Sequence, residues 1–252
     1  LGQALLERLA DVVDVVRDAA QQVAAGMAVE IAQRQPTELL VHLDAQPELI
    51  SAHFAADPVL GAAVARRPGL RVPGALDGFE LAARAILGQQ ITVKAATTIA
   101  GRLAAAFGDP IRTPFPELTH LSPSASRVAA ATIDSIASLG IIQTRARSLV
   151  AIAREIASGR LTLDAGAAPE MVMAQLMGLP GIGAWTAQYI AMRALRWTDA
   201  FPKGDIALRN ALGRVSAARA DELSQPWRPW RSYATIHLWC EAVERADDVG
   251  FA

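Results

Sequence analysis

The stretch Leu179-Pro180-Gly181-Ile182-Gly183-Ala184-Trp185-Thr186-Ala187 constrains the fold of this chain more than any other. An apolar pattern at helical spacing precedes it (Met171, Leu176) and another follows (Tyr189, Ile190, Met192). The spacing predicts a helix, a Gly-Ile-Gly turn and a second helix over about residues 171–196. Glycine on both sides of Ile182 permits positive φ and lets an outside backbone come close. The N–H groups that open the second helix then form an anion site that needs no side-chain charge. A bare Gly-x-Gly turn between two packed helices carries the same signature, so the length of the string is what argues for more.

The rest of the chain is organised around that hairpin. Residues 1 to about 25 carry apolar side chains at helical spacing, whereas Val29-Glu30-Ile31 and Leu39-Leu40-Val41-His42-Leu43 look like short strands, so residues 1–75 are expected to form a small α/β lobe. Pro58, Gly61, Pro68, Gly69, Pro73 and Gly74 then break the pattern. From Leu76 onward the texture is Ala-rich and amphipathic, and residues 76–252 are expected to be a helical domain, which makes the chain mainly α. Asp77 is expected to open one helix, Thr92 to cap one that ends at Gly108, and Thr144 to cap one that closes at Gly159. Short helices are expected between Pro114 and Ile142, and a last strong one from about Pro229 to Glu244.

Composition narrows the function. Hydrophobic residues make up 52% of the 252, yet Arg, Gln, Asp or Gly interrupts every apolar run before it could span a membrane. The start at Leu1 lacks the features of a secretory signal, and without a Met it leaves room for residues upstream; the chain reads as cytoplasmic. The single cysteine, Cys240, excludes an internal disulfide and a four-Cys zinc or iron–sulfur site, and the four histidines show no metal-ligand spacing, so neither a cofactor nor a tightly bound metal is expected. A net charge of −1 argues against binding nucleic acid through bulk positive charge. Such a ligand would have to be gripped locally, by backbone N–H groups and a few basic side chains.

All five Trp and both Tyr lie at or beyond Trp185. They either fill a core or line a site. Asp205 follows Pro202 and Gly204 at the start of a helix pattern, where its ordinary role is an N-cap.

The hairpin, followed about twenty residues later by Asp199-Ala200-Phe201-Pro202-Lys203-Gly204-Asp205-Ile206-Ala207-Leu208-Arg209, resembles the helix-hairpin-helix-Gly/Pro-Asp superfamily of base-excision DNA glycosylases. Arg84-Ala85-Ile86-Leu87-Gly88-Gln89-Gln90-Ile91 and Trp227-Arg228-Pro229-Trp230-Arg231-Ser232-Tyr233-Ala234 look like its alkylbase (3-methyladenine) glycosylase II branch. Roughly residues 70–245 match in order, and residues 1–75 are shorter than the β-sheet lobe that the branch carries.

The resemblance implies a monomeric enzyme that flips a damaged purine out of duplex DNA. Asp205 would stabilise the oxocarbenium-like sugar as the N-glycosidic bond breaks. Trp185, Tyr189, Trp239 and Ile206 would form the base pocket, with Ile206 standing where branch members have an aromatic. Stacking and cation–π attraction would favour an N-alkylated base by about 1–2 kcal/mol. Trp185 occupies the position at which strand-nicking relatives carry a Schiff-base Lys, which implies hydrolysis by water. Gln90 matches the wedge that fills the gap in the duplex. Lys94, Lys203 and Arg209 would touch phosphates, together with Gly181, Ile182, Gly183 and Thr186 of the hairpin, while Trp227, Trp230 and Arg231 would brace the last helix. Three alternatives stay open: a glycosylase for deaminated or oxidised bases, a non-catalytic DNA-binding module, and a helical scaffold that merely shares these turns.

Overall fold

The computed structural model describes residues 45–115 and 118–248. The helix and strands expected within residues 1–43 lie outside that range. The described residues are helical, and their sole β feature is an isolated antiparallel bridge between Pro110 and His120. Among them no helix is long and apolar enough to cross a membrane. They sort into two compact units that interleave along the chain.

One unit comprises residues 76–115, 118–163 and 178–182. It contains five of the helices numbered here, and two others, α1 (Pro47–Phe54) and α2 (Gly61–Arg66), precede them in the chain. The five are α3 (Gly78–Leu87), α4 (Val93–Phe107), α5 (Ala125–Ala129), α6 (Ile133–Ala137) and α7 (Gln143–Ala157). Their starts follow local chemistry. The Asp77 carboxylate accepts from Glu80 N and the Thr92 hydroxyl from Ala95 N, as the cap rules predict. The expectation fails at Thr144: α7 begins two residues earlier than a Thr144 cap would place it, its N-cap is Ile142, and no side chain caps it. Thr144 lies inside the first turn, where its carbonyl accepts from the Ser148 hydroxyl. A Ser or Thr near a helix start is a cap only if its own backbone stays extended, and the chain enters α7 before Thr144 is reached. The core of this unit is Leu81, Ile86, Leu103, Val128, Ile136, Leu149 and Ile152, all buried.

The second unit comprises residues 45–75, 164–177 and 183–248. It holds α1 and α2 with α8 (Pro169–Met177), α9 (Ala184–Arg193), α10 (Ile206–Ala211), α11 (Ala217–Leu223), a 3-10 turn (Gln225–Trp227) and α12 (Arg231–Asp248). Trp227 is buried, and its indole donates to Asp57 Oδ2 at 2.7 Å. Of the three residues expected to brace the last helix, Trp227 and Arg231 are buried, and the Trp230 ring packs edge-on against Tyr233 of α12 with centroids 5.9 Å apart.

His237 lies on the buried side of α12, near Arg67 and Glu241. Burial, aided by the Arg67 guanidinium and opposed by Glu241, pulls its imidazole from 6.5 down to about 4. The folded state therefore refuses a proton that the unfolded chain accepts. Stability is complete above about pH 6.5 and falls as the pH drops toward 4, by about 3 kcal/mol in all at roughly 1.4 kcal/mol per unit. Urea melts at pH 7.5 and 5 are expected to show about 2 kcal/mol of this loss, and His237→Gln is expected to flatten it. An equal slope in both proteins would remove His237 as its source.

Candidate active site

Asp205 caps α10, its Oδ1 accepting from Leu208 N at 2.8 Å. The same carboxylate receives two indoles: Trp185 Nε1 donates to Oδ2 at 2.8 Å and Trp239 Nε1 to Oδ1 at 3.1 Å. Three N–H donors hold one half-buried carboxylate, and both of its oxygens are engaged.

The loop before it is held firmly. Arg231 donates from Nε to Asp199 Oδ1 at 2.7 Å and from Nη2 to Asp199 Oδ2 at 2.8 Å, and Arg228 also pairs with that carboxylate. The Ser232 hydroxyl donates to Trp197 O and contacts Ala200 O. Phe201 N donates to Gln188 Oε1 on α9 at 2.9 Å.

On α9, Trp185, Tyr189 and Arg193 follow one another at i, i+4 and i+8, a single stripe of the helix. The Trp185 and Tyr189 rings stack, with centroids 5.3 Å apart and planes 9° from parallel. Trp239 reaches the Tyr189 ring from α12 at 6.4 Å. Ile206, the residue after Asp205, is 71% exposed. Asp205, Trp185, Tyr189 and Trp239 therefore come together, with Ile206 at an open edge next to the carboxylate. Among the described residues no group of three or more His, Cys, Asp or Glu side chains could hold a metal ion.

The hairpin is partly as expected. Gly181 has φ +75°, and a methyl group there would lie 2.3 Å from Ser148 Oγ on α7. Gly183 differs: its backbone is extended, at φ −90° and ψ 173°, and it is the N-cap of α9, so its glycine is not required by positive φ. A methyl group at Gly183 would have open space around it within 4 Å. The first-turn amides of α9 have no side-chain cap. Ile182 and Thr186 are both buried, so this turn can offer an outside anion its backbone but not those two side chains. We expect Gly181→Ala to cost about 1–3 kcal/mol in urea melts, from strain at positive φ and the contact with Ser148; an unchanged midpoint would contradict the geometry.

Gln90 is exposed at φ +55°, a conformation uncommon for a residue with a side chain. Two contacts that sequence reasoning missed hold the residue before it. Gln89 Nε2 donates to Gly181 O at 3.1 Å, and Arg145 donates to Gln89 O. Of the basic candidates, Lys94 is exposed. Lys203 pairs with Asp221 at 2.9 Å, and Arg209 donates from Nε to Val215 O at 2.8 Å. Arg193 was missed as well, since nothing in a helical Arg announces that it will be buried.

The fold and the site together define a class: a helix-hairpin-helix protein whose second hairpin helix carries an aromatic stack against a capping carboxylate. Residues 83–228 match the HhH-GPD superfamily of base excision DNA repair proteins, and the chain belongs to that family. Residues 12–77 match the AlkA N-terminal domain. A probable bifunctional transcriptional activator/DNA repair enzyme AlkA of Mycobacterium tuberculosis is 46% identical over 204 residues, 79% of this chain; the chain spans 40% of that relative's length. DNA-3-methyladenine glycosylase 2 of Escherichia coli is 34% identical over 200 residues, covering 79% of this chain and 68% of that protein. Among solved structures, a 3-methyladenine DNA-glycosylase from Archaeoglobus fulgidus shares the fold, with a TM-score of 0.69 at 24% identity over 85% of this chain and 75% of its own.

Proposed function

We propose that the chain is a monofunctional DNA glycosylase that flips alkylated purines, of the 3-methyladenine and 7-methylguanine type, from duplex DNA and hydrolyses the N-glycosidic bond. The observation that carries this reading is the Asp205 carboxylate held by both indoles of an aromatic cluster. Breaking an N-glycosidic bond leaves positive charge on the sugar. A fixed carboxylate stabilises that charge without having to reorganise, and it can orient the attacking water. The Trp185, Tyr189 and Trp239 rings supply flat faces for a purine, and an N-alkylated purine is both a cation for those faces and a better leaving group. The names of the Escherichia coli and Archaeoglobus fulgidus relatives support the same substrate class.

With Trp185 in place of a Lys nucleophile, the product is an abasic site in an unbroken strand. Gln90 acts as the wedge, projecting from a loop that Gln89 and Arg145 hold. Phosphates are gripped by the backbone N–H groups that open α9 and by Lys94, Lys203 and Arg209, with Gly183 leaving room for the sugar-phosphate backbone to approach. Residues 76–252 carry the glycosylase site, and the match of residues 12–77 to the AlkA N-terminal domain supports an N-terminal lobe, but residues 45–75 fall in the same compact unit as residues 183–248, so the boundary at 75 divides sequence families rather than compact units. The chain works as a cytoplasmic monomer, one flipped base per site, without a cofactor. The exposed Ile206 favours one second reading: a pocket open enough at that edge to take deaminated bases as well.

The test is release of free 3-methyladenine and 7-methylguanine from methylated duplex DNA at low salt, with strand integrity read before alkali. Base release with intact strands is expected. Binding without release would favour a non-catalytic module, and nicked strands would overturn hydrolysis by water.

A further inference from the structure

Arg193 is 7% exposed, and no carboxylate among the described residues pairs with it. Its partners are neutral: Nε donates to Pro73 O at 3.1 Å, Nη2 to Gly74 O at 3.3 Å, and Nη1 to the Tyr189 hydroxyl at 2.5 Å. The guanidinium sits at the hydroxyl edge of Tyr189, 5.4 Å from the ring centroid. A buried cation without a counter-ion is costly, and a neutral side chain of similar length could satisfy part of the same set of acceptors. The charge itself therefore calls for an explanation.

Its place along α9 supplies one. Trp185, Tyr189 and Arg193 are successive turns of one stripe, with the Asp205 carboxylate bonded to the Trp185 end and the guanidinium bonded to the Tyr189 end. The aromatic site is thus electrically polarised, negative at one end and positive at the other. A guanidinium that donates to the phenol oxygen withdraws electron density from the ring that a cationic base would use. It also repels positive charge placed against Tyr189, while the carboxylate attracts positive charge near Trp185.

We propose that Arg193 is a positioning and specificity-determining residue. It fixes Tyr189 parallel to Trp185, and its charge restrains the preference of the site for cationic bases, so that neutral purines are also accepted. The inference rests on the base-pocket reading above and deepens it.

The experiment compares kcat/KM for release of 7-methylguanine, cationic in DNA, with that for hypoxanthine, a neutral purine, from duplexes of one sequence. Arg193→Gln and Arg193→Met remove the charge, and Arg193→Lys keeps it. The cationic-to-neutral ratio is expected to rise roughly threefold to tenfold in the Gln and Met proteins and to stay within about twofold of native in the Lys protein. Far-UV circular dichroism and thermal melts establish which uncharged variant folds, and the ratio is read on that one. If both rates fall together with the ratio unchanged, Arg193 is only a brace and the proposal fails. A native protein that releases the cationic base but no detectable neutral one contradicts it as well. Release of neither base by the native protein overturns the pocket reading and this inference with it.

Discussion

Asp205→Asn is expected to lower kcat for base release by about a thousandfold or more, with duplex affinity nearly unchanged. The substitution preserves shape and keeps an oxygen able to cap α10, so the fold survives. It removes the charge that faces the developing cation, and with it the largest electrostatic contribution to the transition state. It also disturbs the ground state in a definable way. The native carboxylate accepts on both oxygens, from Leu208 N and Trp239 on Oδ1 and from Trp185 on Oδ2. An amide accepts on one side only. Whichever way it turns, an NH2 group confronts an N–H donor, so one indole must move, and a stability loss of about 1–2 kcal/mol accompanies the loss of activity. Single-turnover release and a thermal melt of the same preparation measure both. Activity within about tenfold of native would remove Asp205 from the chemistry, since that leaves little more than 1 kcal/mol to explain.

Asp199→Ala is expected to cost about 3 kcal/mol of stability, because it removes the bidentate counter-ion of a buried guanidinium and leaves it the longer pairing with Asp221. Arg231 and Asp199 are both buried, and the bidentate pairing at 2.7 and 2.8 Å is supplemented by a bond from Arg231 Nη2 to Asp199 O at 3.0 Å. Among the described residues, that carbonyl, the Phe201 ring at 5.9 Å and Asp221 at 3.8 Å then remain near the charge. Urea unfolding measures the loss. The double variant Asp199→Leu with Arg231→Leu is expected to recover much of it, since an apolar pair carries no stranded charge. The same pair ties the start of α12 to the segment leading into Pro202 and Asp205, so base release by Asp199→Ala should fall even at temperatures where the protein stays folded. A stability loss below about 1 kcal/mol would mean that water reaches Arg231 freely and the pair is not the brace described.

Much of the helical framework was legible in the chain because its signals are local. Asp77, Thr92 and Asp205 cap the helices that follow them, and a cap needs only a side chain and the amide three residues on. The short helices between Pro114 and Ile142 follow from breakers visible in the sequence. Thr144 shows the limit of such reasoning, since the cap rule names a residue type while the path of the chain into α7 decides the position. Gly183 shows another, because glycine permits positive φ without requiring it, and here the backbone is extended.

The candidate site divides along the same line. Trp185 and Tyr189 lie one helical turn apart, so their stacking is inherent in a helical α9 and was readable from spacing. That Trp239, 34 residues beyond Asp205, brings its indole to the same carboxylate depends on how α10 and α12 pack, and spacing alone does not carry that. Gln89 on the Gly181 carbonyl, Arg145 on Gln89 and Arg193 buried beside Tyr189 are contacts between residues far apart in the chain, or choices between solvent and core that composition leaves open. Most helices of the described residues, the hairpin and the residue types available for chemistry were readable from the chain, because caps, turns and helical periodicity act over a few residues. Which carboxylate the indoles bind, which arginine is buried with no carboxylate partner among the described residues and which glycine takes up positive φ were open until the fold was known, because each is settled by packing between distant segments.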